Sequence, residues 1–292
     1  MSAAQHAYVY PALFWHQTSP NKCTADAIGL SESGEYSVRT TMGTIDPPAF
    51  VGEKTYTANY CEENIYRLAK TLTSLPDYDS TNDIIFVVFI SNLSRTVALW
   101  QQRASPDPEL PVVWDYHVIL VRFQRNMSVS SADGARTAPT ECWHGWVYDF
   151  DSRCGFISSW GEYVRETFLP HFSLDGRFRW QAEAPPSSKK VCLLTASSSM
   201  FRVISVNTFL EEFASDRTHM HVQSLGESAA EPSYISPPPT YPPIVGKRAA
   251  EKGVHNNLMD VFVSMESPEG VGSVLCDRDF FELEATLDLV SL

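Results

Sequence analysis

No stretch of the 292-residue sequence is apolar for long enough to cross a bilayer. The longest run, Ile84-Ile85-Phe86-Val87-Val88-Phe89-Ile90, falls far short of the roughly 20 residues that a transmembrane helix needs. Positive charge is also scarce. Lys and Arg number 22 against 35 Asp and Glu, a net charge of −13, and such an excess repels phosphate backbones instead of releasing their counterions. Nucleic acids and anionic membranes are therefore not expected as partners. The six cysteines, Cys23, Cys61, Cys142, Cys154, Cys192 and Cys276, lie far apart. They show neither the paired spacings of a zinc site nor the density of a disulfide framework. Cys142 and His144 alone approach a metal-ligand spacing, and with no second pair beside them no metal is expected. Phosphate-cradling loops of the Walker or GxGxxG kind are missing, as are internal repeats. Met1–Tyr10 has neither a basic start nor an apolar core and does not resemble a secretory signal, so the expected compartment is the reducing cytosol.

What is present is an ordinary globular composition. Hydrophobic residues make up 43% and charged residues 20%, enough apolar mass for a packed core, and the length suits one large or two small domains. Residues 1–58 mix aromatics such as Tyr8, Tyr10, Phe14 and Trp15 with Ser, Gly and Pro, and show little periodicity. They are expected to form an irregular N-terminal extension ahead of a single domain over 59–292. From Asn59 the pattern changes: Ile65, Leu68, Ala69, Leu72 and Leu75 recur at helical spacing and predict an amphipathic helix ended by Pro76 and Asp77. Asn59 is the expected N-cap, with Glu62 completing a capping-box pattern and Glu63 in the acidic first turn. That places Cys61 in the first turn as well.

Ile84–Ile90 predicts a strand buried on both faces, the β-branched Pro111–Arg122 a second, and Trp146–Phe150 a third, followed by a strand-then-helix unit over Phe201–Phe213. Stretches rich in Ser, Ala, Gly or Pro predict loops at Asn126–Thr140, Gln181–Lys190 and Ser224–Pro243. Inside the last, Pro238–Tyr241 forms a PPxY pattern. It is either a WW-domain ligand in polyproline II form or a rigid connector packed on its own domain.

A cysteine in the first turn of a helix sits where unpaired N–H groups and the macrodipole favour a thiolate, although the carboxylates of Glu62 and Glu63 oppose this. By position alone, Cys61 is either a small buried filler or a nucleophile. In Val113-Trp114-Asp115-Tyr116-His117-Val118, strand alternation places Asp115 with His117 on one face and Trp114 with Tyr116 on the other. His117 is then a satisfied core histidine or a general base. Asp149 and Asp151 share a face by the same alternation, and one acid could orient an imidazole. The chain order of a helix-opening Cys, then His, then Asp on later strands is that of papain-like and transglutaminase-like thiol enzymes.

Five blocks, Tyr60-Cys61-Glu62-Glu63-Asn64-Ile65, Val88-Phe89-Ile90-Ser91-Asn92, Val113-Trp114-Asp115-Tyr116-His117-Val118, Tyr148-Asp149-Phe150-Asp151 and Phe213-Ala214-Ser215-Asp216-Arg217-Thr218-His219-Met220, closely resemble the protein N-terminal glutamine amidohydrolase family. Trp100-Gln101-Gln102, Phe201-Arg202-Val203-Ile204, Pro238-Pro239-Thr240-Tyr241-Pro242 and Asn257–Met265 extend the likeness. The chain departs from the family pattern in its long N-terminal extension and in loop insertions near 123–145, 175–199 and 221–236.

The resemblance implies an α+β fold of papain/transglutaminase-like type, with a mainly antiparallel sheet flanked by helices in α-β-α layers. It implies a catalytic triad of Cys61, His117 and Asp149 that hydrolyses the side-chain amide of an N-terminal glutamine through a thioester, with no cofactor or metal. Protein and peptide substrates, a monomer in cytoplasm and nucleus, and a role in the N-degron route are implied with it. Selection of a chain terminus requires a carboxylate that reads the α-ammonium group, for which Glu63, Asp115, Asp151 and Asp216 are candidates. Glu63 could equally serve the helix dipole and Asp216 a cap. Trp114 and Tyr116 could wall a glutamine slot or simply pack the core, and His219 is a second base or a supporting residue. Two other readings use the same residues: another thiol hydrolase or acyltransferase, and an inactive module that binds N-termini.

Overall fold

The computed structural model describes residues 8–9, 27–30, 36–39, 47–50, 52, 54–128, 140–168, 199–222, 233–267 and 270–290. Three short strands, β1 (Tyr8–Val9), β2 (Ala27–Leu30) and β3 (Tyr36–Arg39), lie within the stretch expected to be irregular. Then follow α1 (Cys61–Thr73), β4 (Asp83–Ser91), β5 (Val97–Leu99), β6 (Val112–Trp114), β7 (His117–Ser128), β8 (Thr140–Tyr148), β9 (Ile157–Ser159) and α2 (Trp160–Phe168). The chain continues through β10 (Met200–Ser205), α3 (Val206–Glu212), β11 (Ala214–Ser215), β12 (Ile244–Val245), α4 (Lys247–Glu251), β13 (Ser273–Cys276), α5 (Asp277–Phe281) and α6 (Leu283–Val290).

The longest apolar run of the sequence becomes β4, inside a six-stranded sheet of order β13-β10-β4-β7-β8-β9 in which every neighbouring pair is antiparallel. Because side chains alternate along a strand, this sheet presents two apolar faces. Ile85, Val87, Phe89, Val118, Leu120, Trp146 and Tyr148 meet Ile65, Leu68, Ala69 and Leu72 of α1 on one side. Val88, Ile90, Ile119, Val121, Phe123 and Val147 meet Trp160, Tyr163 and Val164 of α2 and Phe280 of α5 on the other. The result is an α+β arrangement of helix, sheet and helix layers. Each large aliphatic or aromatic side chain so buried stabilises the fold by about 1.5–3 kcal/mol, so the α1 stripe read from the sequence is what fixes the helix against the sheet.

Three sequence expectations are corrected. Pro111–Arg122 is not one strand: β6 pairs with β1 and β5, whereas β7 pairs with β4. The break falls at Asp115, whose carboxylate accepts the N–H of Tyr116 at 2.9 Å and whose carbonyl accepts the Ser91 hydroxyl at 2.7 Å. Side chains there replace ladder bonds, so the alternation across the break is lost. Asn59 is not the N-cap; it adopts φ +65° one residue ahead of the cap, Tyr60, and no side chain caps the helix. Asn64 instead clasps Thr57, accepting its N–H at 2.9 Å and donating to its carbonyl at 2.8 Å. Finally, Asn126–Ser128 and Thr140 are strand and not loop, because the ladder runs on through Asn126↔Cys142 to Ser128↔Thr140. The Gln181–Lys190 loop and much of 224–243 lie outside the described residues.

Candidate active site

The β6–β7 break turns Trp114, Asp115, Tyr116 and His117 in directions that a straight strand would not allow. His117 opens β7 with 1% of its surface exposed, and its Nε2 lies 3.0 Å from Oδ1 of Asp149, itself 1% exposed. Trp114 stacks on the imidazole, with ring centroids 5.5 Å apart and planes 22° from parallel. Asp149 follows the last residue of β8 and is held on both oxygens. Oδ1 also accepts the Asp151 N–H at 2.9 Å, and Oδ2 accepts the Tyr163 hydroxyl at 2.8 Å and a long bond from Gln102 Nε2 at 3.5 Å. Asp151 in turn accepts the Tyr56 hydroxyl on Oδ1 at 2.6 Å. His117, Asp149 and Asp151 offer atoms within 4.8 Å of one another, the one grouping of metal-ligand type among the described residues. Protein donors already engage both oxygens of Asp149 and Oδ1 of Asp151, an environment suited to holding an imidazole in place.

The electrostatics follow from burial and pairing. Burial opposes charging of His117, but the adjacent Asp149 carboxylate, with Asp151 behind it, outweighs this and the imidazole is raised above its ordinary value. Burial likewise pushes Asp149 upward, and the His117 partnership with its hydrogen bonds overcomes it to give a net lowering. Asp151, buried and beside the charge of Asp149, is raised. His117 Nδ1 makes no hydrogen bond and is shut from solvent.

A second buried group gathers on the α1 side. Tyr116, fully buried, donates its hydroxyl to Glu62 Oε2 at 3.1 Å, and His219 Nε2 lies 3.4 Å from that hydroxyl and 3.5 Å from Glu62 Oε1. Asp115 feels the charges of both His219 and Glu62, and burial pushes it up to about 6. Cys61 links the two groups. Its Sγ lies 3.7 Å from Glu62 Oε2, and its charge contributes to raising both Tyr116 and Tyr56 above the ordinary tyrosine value, after burial as the main cause.

Two predicted site residues stand apart. Both oxygens of Glu63 are gripped by Arg217, at 2.7 Å to Nε and 2.8 Å to Nη2, with Glu63 wholly buried. Arg217, in the left-handed region at φ +66°, also donates to the carbonyls of Pro239 and Tyr241. It thereby ties the proline-rich segment to α1. The Tyr241 ring lies under two guanidinium groups, 4.5 Å from that of Arg67 and 5.2 Å from that of Arg217. Asp216 accepts from Thr218 and from Asn256 at 2.7 Å, setting the 3-10 turn Thr218–Met220 that carries His219.

Sequence reasoning gave no site role to Glu62, Tyr56, Gln102, Tyr163 or Arg217. Glu62, Gln102 and Arg217 stand inside the motif blocks, where their position was a signal. Tyr56 and Tyr163 carried none, since a lone tyrosine outside a motif resembles any packing aromatic.

A family profile described as N-terminal glutamine amidase matches residues 56–284. A protein N-terminal glutamine amidohydrolase of Arabidopsis thaliana is 32% identical over 219 residues, covering 75% of this chain and 79% of its own. Proteins of the same name from Drosophila mojavensis and Drosophila pseudoobscura pseudoobscura are 29% and 30% identical over 232 and 231 residues, covering 80% and 79% of this chain and 89% and 88% of theirs. Since the matched region takes in α1, the whole central sheet and both buried groups, the chain belongs to the N-terminal glutamine amidase family.

Proposed function

We propose that this protein hydrolyses the side-chain amide of an N-terminal glutamine in proteins and peptides, yielding N-terminal glutamate and ammonia, with Cys61 as nucleophile, His117 as acid and base, and Asp149 as the group that orients His117. One observation carries the reading: His117 is anchored through Nε2 on Asp149 while Nδ1 makes no hydrogen bond, which leaves one nitrogen for proton transfer at the start of β7, the strand against which the Cys61 helix packs. The Cys61 thiolate attacks the carboxamide carbon, and first-turn N–H groups of α1, which lack helical partners, receive the oxyanion. His117 protonates the departing ammonia, leaving a thioester. Water, deprotonated by His117, then releases glutamate and returns the thiol. Asp149 fixes the tautomer and stabilises the imidazolium.

A helix-opening cysteine packed on an antiparallel sheet supports assignment to the papain/transglutaminase-like type. We assign catalysis to a single domain over 59–292, with 1–58 as an extension. Motif resemblance supports a monomeric enzyme of cytoplasm and nucleus that supplies N-terminal glutamate to the N-degron route. No helix of the described residues is long and apolar enough to cross a membrane.

Incubation with peptides bearing N-terminal Gln, internal Gln or N-terminal Asn, followed by ammonia assay and mass spectrometry, tests the function. Ammonia from the first alone is expected. Backbone cleavage, or equal action on internal Gln, would replace the reading with that of another thiol hydrolase, and no turnover of any peptide would leave a module that only binds N-termini.

A further inference from the structure

An enzyme that acts on glutamine only at a chain terminus must recognise a primary ammonium group close to the amide it hydrolyses. Four bonds separate the carboxamide carbon of glutamine from its α-nitrogen, a span of about 5 Å when extended, given bonds of roughly 1.5 Å. An attacked carbon sits about 3–3.5 Å from its nucleophile. With a hydrogen bond of about 2.8 Å added, the ammonium reader lies no more than about 11 Å from the Cys61 sulfur, and the described carboxylates on that side of the fold can be taken in turn.

Glu63 is saturated by Arg217. Asp216 is spent on Thr218 and Asn256. Asp151 carries the Tyr56 hydroxyl and sits against His117, where a bound ammonium would face the imidazolium that the reaction creates. Glu62 and Asp115 differ from all three. Glu62 is 0% exposed, its Oε2 lies 3.7 Å from Cys61 Sγ, and its Oε1, which His219 Nε2 faces at 3.5 Å, makes no hydrogen bond. Asp115 is 7% exposed, interacts with Glu62, and its Oδ2 is likewise buried without a partner.

A buried carboxylate oxygen lacking a donor is costly. Two such oxygens on carboxylates that act on one another, one of them beside the Cys61 thiol, form a receptor for a cation that is a hydrogen-bond donor. Tyr116 and His219 border this group: the Tyr116 hydroxyl donates to Oε2 of Glu62, whereas His219 Nε2 faces Oε1 at 3.5 Å without a hydrogen bond, so that Oε1 remains able to accept one from a ligand.

Resting on the amidohydrolase reading above, we propose that Glu62 and Asp115 form the subsite for the α-ammonium group of the substrate's first residue, through Glu62 Oε1 and Asp115 Oδ2. The charge-assisted bonds made there would exclude internal glutamine, which presents a neutral amide N–H at the same place. They would also fix the side-chain amide over Cys61.

Two peptides of equal length test this, one beginning with glutamine and one beginning with its des-amino analogue, which keeps the side-chain amide and lacks the nitrogen. For the wild type, kcat/KM is expected to favour the amine peptide. Glu62→Gln and Asp115→Asn should each lower kcat/KM for the amine peptide by about 10- to 100-fold, the scale of a charge-assisted hydrogen bond. The des-amino peptide makes neither bond, so the ratio of kcat/KM for the two peptides should fall by that factor in each variant. Taking the ratio of the two substrates cancels any effect of Glu62 on the Cys61 thiol.

Equal losses on both peptides, or an unchanged amine preference in both variants, would overturn the subsite. Calorimetric binding of the same peptides to Cys61→Ala, with and without Glu62→Gln, gives an answer independent of turnover. An amine preference that Glu62→Gln removes would support the subsite even if the wild type released no ammonia, a result that would dismiss the amidohydrolase reading alone. Absence of any amine preference in binding would dismiss the subsite.

Discussion

Arg217 grips both carboxylate oxygens of Glu63 inside the protein, and through the same guanidinium it holds the carbonyls of Pro239 and Tyr241. One side chain thus joins the first turn of α1 to the proline-rich segment. Removing it would strand a wholly buried carboxylate, and burial already pushes Glu63 above its ordinary value despite the arginine. Arg217→Ala is expected to destabilise the fold by about 3–5 kcal/mol, read by urea unfolding. Arg217→Lys should recover only part of this, because a single ammonium cannot span two oxygens and two carbonyls. Full recovery in the lysine variant would show that charge alone matters at this site.

The pairing of Glu63 with Arg217 also marks where the sequence ceased to be legible. The α1 stripe of Ile65, Leu68, Ala69 and Leu72 and the doubly buried β4 could be read because a long periodic pattern repeats one signal many times. A contact spanning 154 residues leaves no local trace. For the same reason Glu63 could be placed in a first turn and its partner could not be named. The β6–β7 break was hidden differently. Valines on both sides favour strand, and the deciding event is one carboxylate, Asp115, bonding the next backbone N–H. Its consequence reaches the site: Trp114 and His117, placed on opposite faces by alternation, stack together, whereas Tyr116 joins Glu62. Asp149 and Asp151 were expected on one face of a strand over Trp146–Phe150; β8 instead ends at Tyr148, and the turn after it brings both acids to His117.

Asp149 raises the imidazole of His117, so its loss should be visible in titration. With the folded value raised, this group adds stability that is complete below the unfolded value near 6.5 and fades as pH climbs through the higher folded value. Asp149 has the opposite sign: its folded value is lowered, and its contribution is present at neutral pH and fades as pH falls through that lowered value. Asp149→Asn should shift the His117 ring resonances to titrate at lower pH by NMR, and turnover should fall by about 10²–10⁴-fold from loss of the fixed tautomer. An unchanged His117 titration would remove Asp149 from this role.

Cys61→Ser keeps nearly the same shape and hydrogen-bonding capacity while replacing the sulfur. With Cys61 as nucleophile, ammonia release should fall by at least about a thousandfold. Unfolding free energy should change by no more than about 1–2 kcal/mol. Turnover close to wild type in that variant would take Cys61 out of the mechanism.

Tyr56 tests whether residues ahead of α1 contribute to chemistry. It is 48% exposed, stacks on Phe150 with ring centroids 5.9 Å apart, and donates to Asp151 Oδ1. Tyr56→Phe preserves the stacking and deletes the donor, so thermal stability should change little while Asp151 loses one hydrogen bond to its charged form. Asp151 should then be raised further, and because its charge supports that of His117, kcat is expected to fall by about 3- to 10-fold with KM less affected, the scale of one hydrogen bond. A fall in stability without a change in kcat would reduce Tyr56 to packing.

Asp115 offers a prediction of opposite sign. Burial is the main cause that pushes it up to about 6, with the Tyr116 N–H and His219 acting downward and Glu62 adding to the rise. For a raised group the associated stability is complete below the unfolded value near 3.9 and is lost as pH rises through about 6. At neutral pH the ionised carboxylate therefore weakens the fold, by an amount on the order of 3 kcal/mol for a two-unit rise. Asparagine retains an acceptor for the Tyr116 N–H and carries no charge. Asp115→Asn should accordingly melt at a higher temperature than wild type at pH 7.5, with the difference closing towards pH 4. A protein that is stabilised by losing a carboxylate has kept it for another purpose, as binding sites commonly do. Melting curves that coincide across this range would show that Asp115 bears no such burden, and would leave its buried oxygen without the electrostatic deficit that a bound ammonium relieves.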